Sequence, residues 1–318
     1  MLGLALILTY GLLLTIAAAT WWTMRRLRRP PRRTYASAVA RSMPGDPSEL
    51  PTPRSFETWM ARCAFRKRDI DFVVWDIEGE DPEAPVIICT PGWGDSRIGA
   101  LPRIDALAPV ASRIIAWDPP GLGESPGLCE LGTREHRAIQ CMMDQLSSDA
   151  QARGVVLYGW SLGAGVSIVG ADVLANDARI RAVIAEAPYR LPWTPARNVI
   201  RNAGMPWAIN GPIAFGLLGV QLGVGPRWRG FDRAERARRI SQPLLVIHGT
   251  QDDVCPVEDG RSIAKNASHG MFMPIEGAHH NDLWTDERFA PQCASAIQDF
   301  IRSVQIRTGD GAAAAPQG

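Results

Sequence analysis

Short apolar runs recur along the chain from about residue 72, and each ends in glycine, proline or aspartate. Such runs are typical of central parallel strands, which are buried on both faces. The predicted strands are 72–79, 85–92, 113–121, 154–161, 180–188, 243–249 and 270–277. Stretches with helical character lie between them, at about 97–110, 132–152, 162–176 and 286–306. This alternation predicts an α/β fold with a mostly parallel, doubly wound sheet.

The first residues follow a different pattern. Residues 2–24 carry no charge and form a run of about 20 apolar residues, which is enough to cross a bilayer as one transmembrane helix. Six arginines follow directly, and an excess of basic residues on one side of a span predicts that this side is cytoplasmic. They are Arg25, Arg26, Arg28, Arg29, Arg32 and Arg33. The alternative is a cleaved signal peptide with residues 17–19 as its site, but no Lys or Arg precedes the apolar run.

The rest of the chain divides by composition. Residues 25–55 are rich in proline, arginine and serine and predict a tether, although its second half could instead pack on the domain. The arginines of this segment are expected to contact anionic lipid headgroups. Residues 56–307 are expected to form the globular domain, with an insertion at about 189–241. Residues 308–318 predict a disordered tail.

Composition excludes some classes of protein. Of the 318 residues, 46% are hydrophobic and 21% are charged, which is typical of a globular α/β domain with a sizeable core. The formal net charge of +1 gives no indication of nucleic-acid binding. Six cysteines are scattered without a C-x-x-C pair, which favours reduced, buried thiols over a disulfide framework or a zinc site. No phosphate-binding loop or metal-ligand cluster is visible, so neither a cofactor nor a metal is predicted.

The candidate chemistry begins at Ser161, in the sequence GWSLG. This serine follows an apolar strand and precedes a helix, and a turn this sharp brings the positions two before and two after it close together. Gly159 and Gly163 provide the room that side chains would fill, as in the nucleophile elbow G-x-S-x-G. The alternative is a structural glycine-rich turn. A helix beginning behind the serine would also favour a developing negative charge.

A nucleophilic serine needs a base, and the base needs an acid to orient it. Histidines 279 and 280 lie in the loop after the last predicted strand, where either could reach the elbow. Asp252 and Asp253 lie in the turn after the preceding strand. The resulting chain order of Ser, Asp and His is that of an α/β-hydrolase.

Five motifs occur in order, and together they resemble the α/β-hydrolase fold. They are PGWGDS, DPPGLGES, GWSLG, HGTQDDVCP and GAHHND. More narrowly, the chain resembles the Bem46-like, or ABHD13/ABHD17-type, membrane-associated serine hydrolases. The resemblance implies Asp252 as the acid and His280 as the base. Glu186, at the end of a predicted strand, is a more distant candidate acid. Backbone N–H groups of Trp93 and Leu162 would form the oxyanion hole, although Pro91 stands where the family has a histidine.

The insertion at 189–241 takes the usual place of a cap over the active site. Its aromatic residues, together with a tryptophan of the elbow, are candidates for substrate binding, or else they pack in the core or rest on the membrane. They are Trp160, Trp193, Trp207 and Phe215. The expected function is a membrane-anchored serine hydrolase for a lipophilic acyl ester or thioester, such as a lipid ester, a lysophospholipid or an acylated protein. A non-catalytic scaffold, and a peptidase or acyltransferase on this fold, are the alternatives.

Overall fold

In a computed structural model, residues 1–65 and 68–313 of the chain are described. Eight strands form one sheet in the order β1-β2-β4-β3-β5-β6-β7-β8. The strands are β1 Phe56–Phe65, β2 Arg68–Glu78, β3 Val86–Thr90, β4 Arg113–Trp117, β5 Val155–Trp160, β6 Ile180–Glu186, β7 Leu244–Gly249 and β8 Gly270–Ile275. β2 is antiparallel to both β1 and β4, and β3 to β8 pair in parallel.

Helices cover both faces of this sheet. In chain order they are α1 Leu2–Arg28, α2 Tyr35–Val39, α3 Leu101–Leu107, α4 His136–Gln145, α5 Ser148–Arg153, α6 Leu162–Val173, α7 Trp193–Asn202, α8 Asn210–Leu222, α9 Arg233–Ala237, α10 Val257–Asn266 and α11 Ala290–Ala313. The central strands are short runs of Val, Ile, Leu and Ala that are buried on both faces, as the sequence predicts.

The two faces of the sheet carry separate hydrophobic layers, because successive side chains of a strand point to opposite sides. In β5, Val156 and Tyr158 belong to the layer packed against α3 and α11. Val155 and Leu157 belong to the layer against α4, α6, α9 and α10. A third cluster lies above the carboxyl ends of the strands and is formed by the cap helices, the end of α1 and nearby loops. The site lies between that third cluster and the sheet.

Two features of the domain differ from the sequence predictions. β1 was not predicted, because its alternating residues lie at the edge of the sheet and half of them face solvent. The first part of the tail predicted as disordered, 308–318, is helical, since α11 continues to Ala313. The rest of that predicted tail, residues 314–318, lies outside the described residues.

The segment predicted as a tether, residues 25–55, is not free of the domain. α1 continues to Arg28, whose buried guanidinium pairs with Glu130 at 2.8 Å and donates to the Cys129 carbonyl at 2.6 Å. Arg33 pairs with Asp95 at 2.9 Å. Side-chain partners on the domain therefore hold this segment down, and not every one of the six arginines is available to lipid headgroups.

One cysteine pair also departs from the prediction of reduced thiols. Cys63 of β1 and Cys141 of α4 form a disulfide bond. The other four cysteines, Cys89, Cys129, Cys255 and Cys293, are free and buried. The bond joins the edge hairpin to the helix that covers it, across 78 positions of the sequence.

Candidate active site

The backbone at Ser161 has the shape that an exposed nucleophile requires. Ser161 lies directly between β5 and α6. Its φ of 54° and ψ of −114° lie outside the backbone regions that residues other than glycine normally adopt. The flanking glycines permit this turn. A Cβ on Gly159 would lie 2.2 Å from the Gly163 carbonyl oxygen, and a Cβ on Gly163 would lie 1.9 Å from the Thr90 carbonyl oxygen. The serine is thereby presented at the carboxyl edge of the sheet.

Three side chains that are distant in sequence meet at this serine. His280 Nε2 lies 3.1 Å from Ser161 Oγ, and His280 Nδ1 lies 2.7 Å from Asp252 Oδ2. With Nδ1 donating to the carboxylate, Nε2 is left unprotonated and can accept the serine proton. The loops after β7 and β8 supply Asp252 and His280, so neighbouring parallel strands place both groups at one edge.

Asp252 is held by more partners than His280 alone. Its Oδ1 accepts from the backbone N–H groups of Val254 and Cys255 at 2.9 and 2.7 Å. Its Oδ2 also lies 3.2 Å from Nε2 of the fully buried His248. Burial alone would raise the pKa of the Asp252 carboxyl group, but the hydrogen bonds from His248 and His280 outweigh it and lower the pKa well below the ordinary value. The Asp252 carboxylate is thus kept ionised and fixed in orientation.

The sequence analysis did not find the contact of His248 with the Asp252 carboxylate. Its Nε2 faces both the Cys255 carbonyl at 3.0 Å and the Asp252 carboxylate, and we therefore assign the proton to Nε2. Nδ1 has no hydrogen-bond partner among the described residues. It faces Gly260, where a Cβ would lie only 2.3 Å away. The sequence signal for this contact was that His248 lies four residues before Asp252 in the HGTQDDVCP motif.

The competing candidates lie elsewhere. Asp253 and His279 are exposed, and the His279 backbone N–H donates to Asp282 at 3.2 Å. Glu186 is buried, and its carboxylate accepts from Arg103, Tyr158 and Trp284. That carboxylate is therefore part of a separate buried network rather than the partner of a histidine.

The loop after β3 lies over Ser161, where an oxyanion hole would form. A Cβ on Gly92 would be 3.3 Å from the Ser161 Cβ, so the backbone passes close to the serine. Within the described residues, neither the Trp93 nor the Leu162 backbone N–H has a hydrogen-bond acceptor. The buried Asp118 of the DPPGLGES motif accepts from the Arg97 N–H at 2.7 Å and so fixes the far end of this loop.

A buried thiol also lies beside the serine. Cys255 contacts the Ser161 hydroxyl, and burial raises the pKa of the thiol well above its usual value, so it stays neutral. Ligand atoms of Asp252, Cys255 and His280 lie within 4.8 Å of one another, a donor set that suits zinc. In this structure Asp252 and His280 are hydrogen-bonded to each other. The predicted absence of a bound metal stays a prediction.

A cavity of about 530 Å³ opens above Ser161 and His280. Its wall is largely apolar, with a buried ion pair of Arg103 and Glu186 on one side. The Arg103 guanidinium lies 4.2 Å from the centre of the Trp160 ring, whose Nε1 donates to Asp95 at 2.9 Å. A volume of this size is typical of pockets for small molecules or single acyl chains.

Two of the four aromatic residues predicted to bind substrate lie at the cavity wall. Trp160 and Phe215 line the cavity, but Trp193 and Trp207 do not. Trp193 stacks on Phe215 with ring centres 4.6 Å apart, and Trp207 meets it edge-on at 5.4 Å. The two tryptophans form a second layer behind Phe215 because the short cap helices pack around that ring.

The end of α1 and the segment after it form another wall of the cavity, which the sequence did not indicate. Leu27, Arg33, Arg41 and Met43 all line it. The Trp93 indole donates to the Leu27 carbonyl at 2.9 Å, which joins the end of α1 to the candidate oxyanion loop.

Known proteins were compared with this chain. No family model matches it. Human ABHD12B is 27% identical over 234 residues, which cover 68% of this chain and 60% of that protein. The biotin biosynthesis bifunctional protein BioHC of Cellvibrio japonicus is 26% identical over 258 residues, covering 69% of this chain and 48% of that protein. The chain thus spans less than two thirds of the length of these relatives.

A solved esterase of Pyrococcus furiosus is 20% identical, with a TM-score of 0.62, and the match covers 86% of this chain and 99% of the esterase. At that identity the likeness shows the fold. The chain has the α/β-hydrolase fold. The finer resemblance to Bem46-like hydrolases stays a prediction.

Proposed function

We propose that this α/β-hydrolase is a serine hydrolase that cleaves an acyl ester or thioester. The observation that carries the proposal is the hydrogen-bonded chain from Ser161 through His280 to Asp252, beneath a cavity. The esterase name of a structural relative agrees with it.

In the proposed reaction, Ser161 Oγ attacks the acyl carbonyl carbon while His280 Nε2 takes the hydroxyl proton. The Asp252 carboxylate stabilises the imidazolium that results. The backbone N–H groups of Trp93 and Leu162 donate to the tetrahedral oxyanion. His280 then gives its proton to the departing alcohol or thiol, which leaves an acyl-serine. Water attacks that acyl group with His280 again as base, and the carboxylic acid is released.

The proposed substrate has a lipophilic acyl group. Phe215, Leu131, Val199 and Leu162 supply apolar wall to the cavity. α1 has a mean hydropathy of 2.2 over 18 residues, long and apolar enough to cross a membrane. A membrane-anchored enzyme with an apolar pocket suits an acyl chain that partitions into lipid, whether as a lipid ester, a lysophospholipid or a protein thioester.

The catalytic domain is proposed to lie on the cytoplasmic side of that membrane. The arginines in the last turn of α1 and directly after it favour this orientation. The disulfide bond of Cys63 and Cys141 is the observation against it, because such bonds are typical of oxidising compartments. Protease protection of sealed vesicles or intact cells tests the side: digestion only after permeabilisation is expected, and digestion from outside would refute it.

Hydrolysis of a series of nitrophenyl esters and acyl thioesters tests the activity and sorts the acyl group. We expect turnover that rises with acyl chain length and that is lost in Ser161→Ala. Ser295→Ala, which removes an exposed serine hydroxyl group of α11 that is distant in sequence from Ser161, is the matched control and should retain full activity. Equal rates for the two variants would refute the proposal.

Two alternatives keep the fold without this activity. A non-catalytic scaffold would bind a ligand in the cavity and turn over no ester. A peptidase or acyltransferase would use the same serine, and amide substrates or an acceptor alcohol in the assay would reveal it. The intact hydrogen-bonded chain at Ser161 favours the hydrolase over the scaffold.

A further inference from the structure

The cap helix α8 has an exposed apolar face that the hydrolase function does not require. Ile209, Ile213, Leu217 and Val220 are 60%, 44%, 48% and 61% exposed. Their spacing of four, four and three residues puts them on one side of the helix. A contiguous apolar stripe of this kind marks a contact surface more often than an isolated exposed residue does.

The neighbour of α8 is the apolar N-terminal helix. α8 packs against α1, and the buried Asn210 side chain donates to the Thr23 hydroxyl of α1 at 2.6 Å. Thr20, Thr23 and Leu27 of α1 are buried, whereas the part of α1 before residue 16 is exposed throughout. The cap therefore meets α1 only near its carboxyl end.

That contact lies at the expected level of the membrane surface. At 1.5 Å per residue, the 18 residues 2–19 extend about 27 Å, close to the thickness of a hydrocarbon core. Trp21 and Trp22 follow, where interfacial tryptophans are expected. A helix that packs on α1 beside Thr20 and Thr23 begins at this boundary.

The charge pattern around α8 fits the same location. No Asp, Glu, Lys or Arg occurs from residue 202 to 226. Arg201 precedes this stretch, and Arg227 and Arg229 follow it; all three are exposed, and none has a side-chain partner among the described residues. Arginines that flank an apolar helix in this way can bind lipid headgroups while the helix lies in the interface.

We propose that α8 is a second membrane-contacting element, lying in the bilayer interface beside α1 with Ile209, Ile213, Leu217 and Val220 in the acyl region. The packing of α8 against α1, which is long and apolar enough to cross a membrane, identifies lipid as the occupant. The inference rests on the anchor of the proposed function. Phe215, on the buried side of α8, lines the cavity, so one helix would separate the bilayer from the candidate active site.

Lipid quenching of a fluorescent label tests this in the full chain. Bimane is attached to Leu217→Cys, and the protein is reconstituted in nanodiscs that contain phosphatidylglycerol and acyl-brominated phosphatidylcholine. Leu12→Cys in α1 is the positive control, and Met271→Cys on the edge strand β8, which is 54% exposed, is the negative one. The unsubstituted chain, whose free cysteines are buried, gives the labelling background.

We expect the label at Leu217 to be quenched nearly as strongly as that at Leu12 and well above that at Met271. Quenching at Leu12 alone would overturn the inference and leave the anchor intact. Quenching at neither position would overturn the anchor itself. Protection of Leu217 from aqueous iodide without lipid quenching would mean that protein, either a partner or a second copy, covers this face, which would also overturn the inference.

A kinetic comparison gives a second measurement. Leu217→Glu with Val220→Glu should raise KM for a membrane-borne acyl substrate about tenfold, because charges on the face of α8 oppose its contact with the bilayer. KM for a water-soluble short-chain ester should stay unchanged, since both residues point away from the cavity. Equal effects on both substrates would count against a membrane role for this face.

Discussion

At the scale of single residues, the acid of the candidate triad is distinguished from its neighbour by its surroundings. The Asp252 carboxylate has no exposed surface and four hydrogen-bond donors around it, whereas Asp253 is exposed. Both positions fall in the same turn, and sequence spacing alone left the choice open. Only the resemblance to known motifs favoured Asp252.

Replacing the acid should therefore have a large and specific effect. Asp252→Asn removes the acceptor that fixes the His280 tautomer, and kcat should fall by about 10⁴-fold, as in comparable triads. Asp253→Asn is the matched control and should leave kcat within about twofold. Steady-state kinetics with a nitrophenyl ester measures both. A similar loss in the two variants, or none in Asp252→Asn, would show that the carboxylate does not act through His280.

At the scale of elements, the turn between β5 and α6 depends on the absence of side chains. Gly163→Ala would drive a Cβ into the Thr90 backbone at 1.9 Å, which can be relieved only by moving β3 or the elbow. We expect a loss of about 2 kcal/mol in the free energy of unfolding, together with lower activity. Gly216→Ala in α8, where the added Cβ would lie 3.9 Å from its nearest neighbouring atom, should not lower the free energy of unfolding. Urea unfolding in detergent compares the two, and equal stabilities would contradict the steric account.

The docking of the N-terminal segment is another property of elements. Arg28→Ala breaks the buried ion pair with Glu130 and should lower the free energy of unfolding by about 3 kcal/mol. This is the lower end of the usual range, because Arg134 still pairs with Glu130 at 2.9 Å. The segment after α1 should then detach and be cut by trypsin many times faster. Exposed Arg29 gives the control, Arg29→Ala. Unchanged digestion of Arg28→Ala in nanodiscs would mean that this pair does not hold the segment.

Elements that are buried on both sides were predictable, and those fixed by distant partners were not. The central strands are continuous apolar runs, and the five motifs locate the loops that carry Ser161, Asp252 and His280. β1 was missed because an edge strand alternates weakly between polar and apolar residues. The docking of residues 25–55 depends on pairs such as Arg28 with Glu130, 102 positions apart, which leave no local pattern. The same holds for the contact of His248 with the acid.

At the scale of the whole molecule, the proposed cytoplasmic orientation makes a prediction about the state of the cysteines. Cytosolic thiols are kept reduced, so the proposed cytoplasmic domain should carry six free cysteines in the cell, and the Cys63–Cys141 bond should form after oxidation of the isolated protein. Alkylation of intact cells at low pH, followed by mass spectrometry, counts the thiols. A Cys63–Cys141 bond already present when the thiols of intact cells are alkylated would contradict the cytoplasmic orientation.

The central claim for the molecule is that Ser161 is a nucleophile activated by His280 and Asp252. Covalent labelling of the full chain in membranes with a fluorophosphonate, followed by peptide mass mapping, tests it most directly. The account predicts one adduct, on the peptide that contains Ser161, with labelling lost in Ser161→Ala and strongly slowed in Asp252→Asn. An adduct on another residue, labelling that persists in Ser161→Ala, or no labelling of the folded wild-type protein would contradict it.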